Sequence, residues 1–282
     1  MYLSDYTTPD AVIRQLDKAD ASVSPIAAQA EYTDFFNLIV PYCRQASSYI
    51  TNYTGDAYVP YKEPRSYYMR DLALDRRMSR GRLFLDAPLL VVSSITWNNT
   101  LLSATQWRVP NDLPYRAIVF DSGLGWSGDF NADIEIVGTW GVHNQLSTMY
   151  TVVEVITGSL TISGTSIVVA NASAYELLSY LRISGELLHV TAKNTFTNTL
   201  TVTRGVNGTT AAAYTTTYTI ERYNVLPDIA LAATRLASFM YQRRSDATGR
   251  TQYGDGSTVL ADLPMMVKET LDKYVSIGGS AA

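Results

Sequence analysis

Three glycines in the middle of the chain have the spacing of a nucleotide-binding fingerprint. Gly123, Gly125 and Gly128 match G-x-G-x-x-G, a pattern that binds pyrophosphate only where a strand precedes the glycines and a helix follows them. Here DFNADIEIVGTW follows, and its alternation predicts another strand. We therefore interpret the glycines as a hairpin loop, and we predict no cofactor.

Histidine and cysteine, which most often bind metals or act as nucleophiles, are few. His143 and His189 are far apart, and neither has a second ligand at the spacing of a zinc motif. Cys43 lies among apolar residues of a predicted helix, which predicts a buried structural thiol. Carboxylates are scattered along the chain. No catalytic residue and no metal site is predicted, and the chain is not expected to be an enzyme; a pair of acids that only folding brings together stays open.

Arginines form the one basic cluster of the sequence. Arg76, Arg77 and Arg80 are flanked by acidic residues, which favours a solvated face or a subunit contact over nucleic-acid binding. Arg243 and Arg244 end a predicted helix, where they oppose its negative dipole end and could also meet an acidic partner. The net charge of −4 argues against binding to phosphates. These five arginines are candidate subunit-contact residues.

Length and composition predict two globular domains. The chain has 282 residues, of which 46% are hydrophobic and 17% are charged, so it can bury a sizeable core. Twenty tyrosines suit subunit interfaces, although they suit the surfaces of strands equally well. No signal peptide and no apolar run of the roughly 18–20 residues that cross a bilayer is present. We expect no membrane contact.

The elements that must position these residues begin with amphipathic helices. Thr8 followed by Pro9 predicts a helix start, and Gly55 predicts the end of a longer helix in which Pro41 should cause a kink. Residues 56–82 predict extended chain with little regular structure, and residues 245–262 predict a polar loop. The helices are expected at residues 9–16, 27–53, 226–244 and 264–275.

Strand patterns follow in two groups. Residues 83–140 contain β-branched or alternating runs that break at Pro88 and turn at Asn98 and Asn99, which predicts a small antiparallel β-unit. Residues 151–223 contain short runs separated by Gly, Asn and Ser, which predict a small barrel or sandwich.

The predicted fold class is α+β, a helical bundle with a small antiparallel β-unit and an inserted all-β domain. The bundle domain is discontinuous and comprises residues 1–150 and 224–282, and the insert comprises residues 151–223. Within the insert, Glu186 and Arg204 are expected to pair across strands, as a surface pair that contributes about 0–1 kcal/mol.

The outer parts of the chain resemble the head–tail connector (neck adaptor) proteins of long-tailed bacteriophages. The segments that carry this resemblance, in this order, are CRQASSYITNYTG, LFLDAPLLVVSSITWNN, IEIVGTWG, LPDIALAATRLASFMYQRR and LPMMVKETLDKY. The resemblance implies a ring of about twelve copies beneath the portal protein, which extends the DNA channel and offers a platform to a tail-side stopper or tail terminator protein. It also implies assembly in the host bacterial cytoplasm and a final place in the neck of the virion.

The resemblance further implies that residues 264–282 reach the portal. The candidate portal-contact residues are Lys268, Lys273, Tyr274 and Ile277. About twelve copies at −4 each would carry a total of about −48, so genomic DNA should pass through the ring without specific binding.

The insert resembles a β-module of other phage structural proteins through ISGELLHVT and VTRGVNGTTAAAY. The alternative hypothesis is therefore a virion binding module, in which the insert recognises host carbohydrate or a decoration partner. Four tyrosines suggest this alternative, and they could equally belong to the core or to a strand surface: Tyr175, Tyr180, Tyr214 and Tyr218.

Overall fold

The computed structural model describes most of the chain. The described residues are 2–16, 25–68, 78–79, 81–110, 112–121, 133–215, 217–243, 250–252, 258–260 and 263–275. The glycine pattern at residues 123–128 lies outside them, so its interpretation as a hairpin loop stays a prediction.

The described part of the chain contains four helices, close to the predicted positions. Thr8 caps the first one, because its side-chain oxygen accepts a hydrogen bond from the backbone N–H of Ala11 at 3.2 Å. The second helix continues through Pro41 and stops before Gly55, whose φ of +76° is typical of a helix C-terminus. A kink at Pro41 stays a prediction. The helices are α1 (Pro9–Gln15), α2 (Pro25–Thr54), α3 (Pro227–Gln242) and α4 (Met265–Asp272).

Residues 61–140 form an antiparallel sheet of seven described strands. The strand order is β1-β7-β3-β6-β5, with β2 and β4 paired to β3. Asn98 and Asn99 both have positive φ and form the tight turn between β3 and β4, as predicted. The strands are β1 (Tyr61–Tyr68), β2 (Met78–Ser79), β3 (Arg82–Trp97), β4 (Thr100–Leu101), β5 (Trp107–Arg108), β6 (Tyr115–Phe120) and β7 (Asp133–Trp140).

Residues 150–223, which we call the β-lobe, form a second antiparallel sheet of six strands. Its order is β8-β13-β10-β11-β12-β9. The sheet is curled, so that its two terminal strands β8 and β9 come close together. Glu154 of β8 accepts a hydrogen bond from the backbone N–H of Ala170, just after β9. The strands are β8 (Tyr150–Ile156), β9 (Ser166–Val168), β10 (Tyr180–Ile183), β11 (Glu186–Asn194), β12 (Thr199–Thr203) and β13 (Tyr218–Tyr223).

Three hydrophobic clusters hold the described residues together. One lies within the first sheet, around Trp140, and another fills the β-lobe, around Leu188. The largest joins the four helices to both sheets, since it contains Leu90 of β3 as well as Tyr180 and Tyr223 of the β-lobe. The boundaries of the two predicted domains stay a prediction.

The predicted fold class is wrong. The described residues form two large antiparallel sheets and a few helices, which is a β-rich fold and not a helical bundle with a small β-unit. The error arose because long helical stripes are conspicuous in a sequence, whereas the extent of a sheet depends on pairings between distant segments.

Two segments account for much of that error. Residues 56–82 were expected to lack regular structure, yet β1 pairs with β7 along its whole length and tolerates Pro64 because it is an edge strand. Pro88 was expected to break a strand, but β3 runs through it, pairing mainly with β6 before Pro88 and with β7 after it.

In the expected loop at 245–262, the described residues form the paired strands β14 (Arg250–Gln252) and β15 (Thr258–Leu260).

Candidate functional site

The most specific motif of the sequence, VTRGVNGTTAAAY, centres on the guanidinium group of Arg204. Its Nε and Nη2 donate to the two carboxylate oxygens of Glu186 at 2.5 and 2.6 Å. Its remaining N–H groups donate to the backbone oxygens of Thr161, Gly164 and Ala212 at 2.6–3.0 Å. All five guanidinium donors are therefore used within the β-lobe. The predicted pair is confirmed, but it is a buried pair and not a surface pair.

Glu186 accepts further hydrogen bonds. They come from the backbone N–H groups of Gly205 and Ala212 and from the Tyr214 hydroxyl. Burial raises the pKa of Glu186, but the hydrogen bonds and charge of Arg204, together with the N–H groups of Ala212 and Gly205, outweigh burial and hold the pKa below its ordinary value. The ionised Glu186 is thus part of the frame of the β-lobe.

The same motif attaches the β-lobe to the first sheet through Asn207. Its side-chain amide forms two hydrogen bonds with the backbone of Leu3. Oδ1 accepts from the Leu3 N–H at 2.8 Å, and Nδ2 donates to the Leu3 oxygen at 3.0 Å. Nδ2 also lies 3.2 Å from the oxygen of Pro60, and the backbone oxygen of Asn207 accepts from the Lys62 N–H. The next residue, Gly208, lies very close to the backbone of Lys62. A Cβ atom on residue 208 would lie 1.9 Å from the Lys62 backbone oxygen.

The N-terminal segment strengthens this attachment with buried polar contacts. Asp5 Oδ2 lies 2.9 Å from His189 Nε2, with both side chains buried. The Asp5 N–H donates to the hydroxyl of Tyr180, and the Thr7 hydroxyl bonds to that of Thr234 in α3 at 2.7 Å. Burial raises the pKa of Tyr180 well above its ordinary value. These contacts fix the β-lobe to α3 through the first residues of the chain.

The two histidines serve separate structural roles. The Nδ1 of His143 accepts from the Gln145 N–H, so Nε2 carries the proton and donates to the Asn224 oxygen at 3.2 Å. Burial lowers the pKa of His143, which favours this neutral form. In the part of the chain that the structure describes, no group of three His, Cys, Asp or Glu side chains could hold a metal ion.

A cleft of about 320 Å³ lies between the N-terminal segment, the β-lobe and α3, and two carboxylates line it. Asp5 is paired with His189, as described above. Glu176 is bound by Arg14 at 2.9 Å and by the Thr8 hydroxyl at 2.8 Å. Burial raises the pKa of Glu176, but these two partners outweigh it and the net pKa is lowered. Glu176 is therefore ionised near neutral pH and lacks the raised pKa of a general acid.

The candidate contact residues that the structure describes lie apart. Lys268 and Lys273 are exposed on and just after α4, and the Tyr274 hydroxyl donates to Asp228 at the start of α3 at 3.3 Å. The Arg243 guanidinium lies over the ring of Phe239 at the other end of α3, about 24 Å away by helix geometry. Their roles stay predictions. Five candidates lie outside the described residues: Arg76, Arg77, Arg80, Arg244 and Ile277.

The four tyrosines that suggested carbohydrate binding are not exposed. Tyr175 and Tyr180 are almost fully buried. Tyr214 and Tyr218 are half-buried, and their rings pack on each other with centroids 5.5 Å apart. The binding-module alternative stays a prediction. Tyr175, Tyr214 and Tyr218 belong to or pack against the core of the β-lobe, and Tyr180 belongs to the cluster that joins the β-lobe to the helices.

Among the described residues, large exposed apolar side chains occur in three places, which sequence reasoning did not identify. On the helices they include Leu38, Leu231, Met265 and Met266, on the β-lobe they are Val152, Val155, Ile162, Val168 and Phe196, and on the first sheet they are Tyr68, Phe84, Val91 and Leu101. A sequence signal marks part of the second group, because residues 155–175 contain no charged residue in a chain with 17% charged residues. None of the described helices is long and apolar enough to cross a membrane.

Neither a scan against models of protein families nor a search of curated proteins finds a match to this chain. The resemblance to phage connectors therefore depends on the sequence segments quoted above.

Proposed function

We propose that this protein is a structural component of a bacteriophage neck, which forms a ring under the portal and joins the capsid to the tail-side proteins. The order of the connector-like segments motivates the proposal. The structural observation that supports the proposal is a contrast between buried polar groups, which are paired, and large apolar side chains, which are exposed. Buried polar groups such as Arg204 and Glu186 are bound to each other, whereas large apolar side chains such as Met265 and Val168 are exposed.

A ring needs two different faces on each copy, because head-to-tail contacts are not self-complementary. The described part of the chain has exposed apolar side chains on the helices, on the β-lobe and on the first sheet. Each could supply one face of such a contact, with exposed aromatic and methionine side chains of the kind that interfaces prefer. The candidate subunit-contact and portal-contact residues keep these roles in the proposal.

The charge of the chain supports a passage for DNA. Its 26 acidic residues exceed its 22 basic residues, so a ring of copies would repel the phosphate backbone as a whole. Genomic DNA would slide through such a ring without being held.

Electron microscopy of the purified full chain tests the proposal, alone and mixed with the portal protein of the same virion. We expect annular particles with a central channel, and a larger particle when the portal is present. A chain that stays monomeric in both samples, over the whole accessible concentration range, would contradict the proposal.

A further inference from the structure

Arg222 differs from the other arginines of the β-lobe in having no partner for its side chain. Arg182 lies 2.6 Å from Glu221, and Arg204 lies 2.5 Å from Glu186. Arg222 is half-buried on β13 and lines the cleft between the N-terminal segment, the β-lobe and α3. Its guanidinium group forms no hydrogen bond or ion pair with any described residue. The cleft therefore contains five free N–H donors and a positive charge.

The other charged side chains that line the cleft are already paired. Glu176 is bound by Arg14 at 2.9 Å, and the carboxylate of Asp5 faces His189 at 2.9 Å. The charge of Arg222 acts on Glu176 over a longer distance, without an ion pair. Two guanidinium groups thus share one carboxylate, and the charge of Arg222 is left over. A ligand with one negative charge would balance it, whereas a doubly charged ligand would also be repelled by Glu176.

The backbone of the N-terminal segment has free hydrogen-bonding groups at the same cleft. Thr7 is only 5% exposed, yet neither its N–H nor its backbone oxygen is bonded to a described residue. Its hydroxyl is already bonded to that of Thr234. Buried backbone groups almost always have a partner. A residue with both groups free can pair with an amide group, as one strand pairs with another.

The rest of the cleft is small and partly apolar. Ala11, Leu178, Val225 and Ala230 contribute apolar side chains to its lining. Its volume of about 320 Å³ lies at the lower end of the roughly 300–1,000 Å³ of small-molecule sites. A ligand of this size needs an apolar group beside its polar ones.

We propose that this cleft binds a small N-acylated amino acid. Arg222 holds the carboxylate, Thr7 pairs with the amide group, and the apolar lining covers the side chain. A planar guanidinium group matches a carboxylate in bidentate geometry, and the single charge suits a cleft that also contains Glu176. The inference goes beyond the proposed function and does not rest on it.

Titrations of the full chain, followed by the NMR signals of the ligand, test the proposal with three probes: N-acetylalanine, N-acetylleucine and N-acetylphenylalanine. We expect at least one to bind. Arg222→Gln should weaken its binding at least about tenfold, because a hydrogen-bonded charge is lost. The methyl ester of the same probe, which has no carboxylate, should show a similar loss. Arg108→Gln, an exposed arginine on β5 outside the cleft, is the control and should bind normally.

A second variant tests the cleft without changing its charge. Ala230→Leu would fill part of the cleft from α3 and should abolish binding, while leucine keeps a high helix propensity. Circular dichroism shows whether each variant is folded. If Arg222→Gln does not fold, the ester and Ala230→Leu still decide the question.

Three results would overturn the site: no binding of any of the three probes, binding that survives both Arg222→Gln and Ala230→Leu, or an equal loss in Arg108→Gln. Inorganic phosphate that binds as tightly as the best probe would overturn the choice of a carboxylate. None of these results bears on the proposed ring, which electron microscopy tests separately.

Discussion

Arg204 and Glu186 form a buried ion pair within the β-lobe, with side-chain exposures of 6% and 1%. The guanidinium and the carboxylate lie in parallel, at 2.5 and 2.6 Å. The removal of both charges from water costs free energy, which the bidentate geometry and the bonds to every remaining arginine donor offset. The residues that look most like a functional motif in the sequence therefore hold the β-lobe together.

Removal of one member of this pair should destabilise the protein strongly. We expect Arg204→Ala to lower the free energy of unfolding by about 3–5 kcal/mol, because Glu186 would keep a buried charge without its partner. Urea denaturation near neutral pH measures this. Arg14→Ala is the control, since Arg14 is 61% exposed in its pair with Glu176 and should cost at most about 1 kcal/mol. Equal losses would contradict the structural role of Arg204.

The pair also predicts a loss of stability in acid. The pKa of Glu186 in the folded state lies below its ordinary value, which is about 4.3 for an unfolded chain. Its ionised form therefore stabilises the fold above about pH 4.3, and this contribution is lost as the pH falls through the lower pKa of the folded state. The stability difference between wild type and Glu186→Gln should shrink as the pH falls below about 4.

Asp56 provides a control for that experiment, because its pKa is shifted in the opposite direction from that of Glu186. Burial raises its pKa, and the nearby Arg116 does not fully offset this effect. The wild type should therefore gain stability relative to Asp56→Asn as the pH falls. Urea titrations of both variants at several pH values between about 3 and 7 span these shifts. Parallel pH profiles for the two variants would contradict the assignment.

The attachment of the β-lobe to the first sheet depends on Gly208. We expect Gly208→Ala to cost about 3 kcal/mol or more, because φ is +76° and the new Cβ would lie 1.9 Å from the Lys62 backbone oxygen. Gly55 has the same φ but nothing within 4 Å. Gly55→Ala should therefore cost only about 1–2 kcal/mol, from the backbone alone. Thermal or urea unfolding that ranks the two variants in reverse would refute this account.

The thiol of Cys43 should be inert in the folded protein. The side chain is fully buried in the core, as the sequence predicted, and burial raises its pKa to about 12. We expect no reaction with a thiol reagent near neutral pH until denaturant unfolds the chain. Val168→Cys in a Cys43→Ser background is the control, and its exposed thiol should react at once. Rapid labelling of native Cys43 would show that the core around α2 opens.

Local patterns predicted individual elements well. The cap at Thr8, the end of α2 at Gly55 and the turn at Asn98 and Asn99 follow from the chemistry of neighbouring residues, and the structure contains each of them. Strand β1 was missed because Pro64 and its charged neighbours look irregular, and only the pairing with the distant β7 makes the segment a strand.

The burial of charged groups was the property that local patterns could not give. Glu186 and Arg204 were expected to pair, but whether they lie at the surface or inside depends on how the strands of the β-lobe curl around them. Likewise, only folding brings Asp5 and Glu176 to one cleft and supplies the partners that bind them.

The sequence by itself therefore determined the helices, their caps, most strands and the uncharged stretch at residues 155–175, because each depends on residues near one another in the chain. The tertiary structure decided the size of both sheets, which acids and bases are buried together, and the curl that brings Glu154 of β8 to the end of β9. Those properties depend on contacts between distant residues, and no local pattern specifies them.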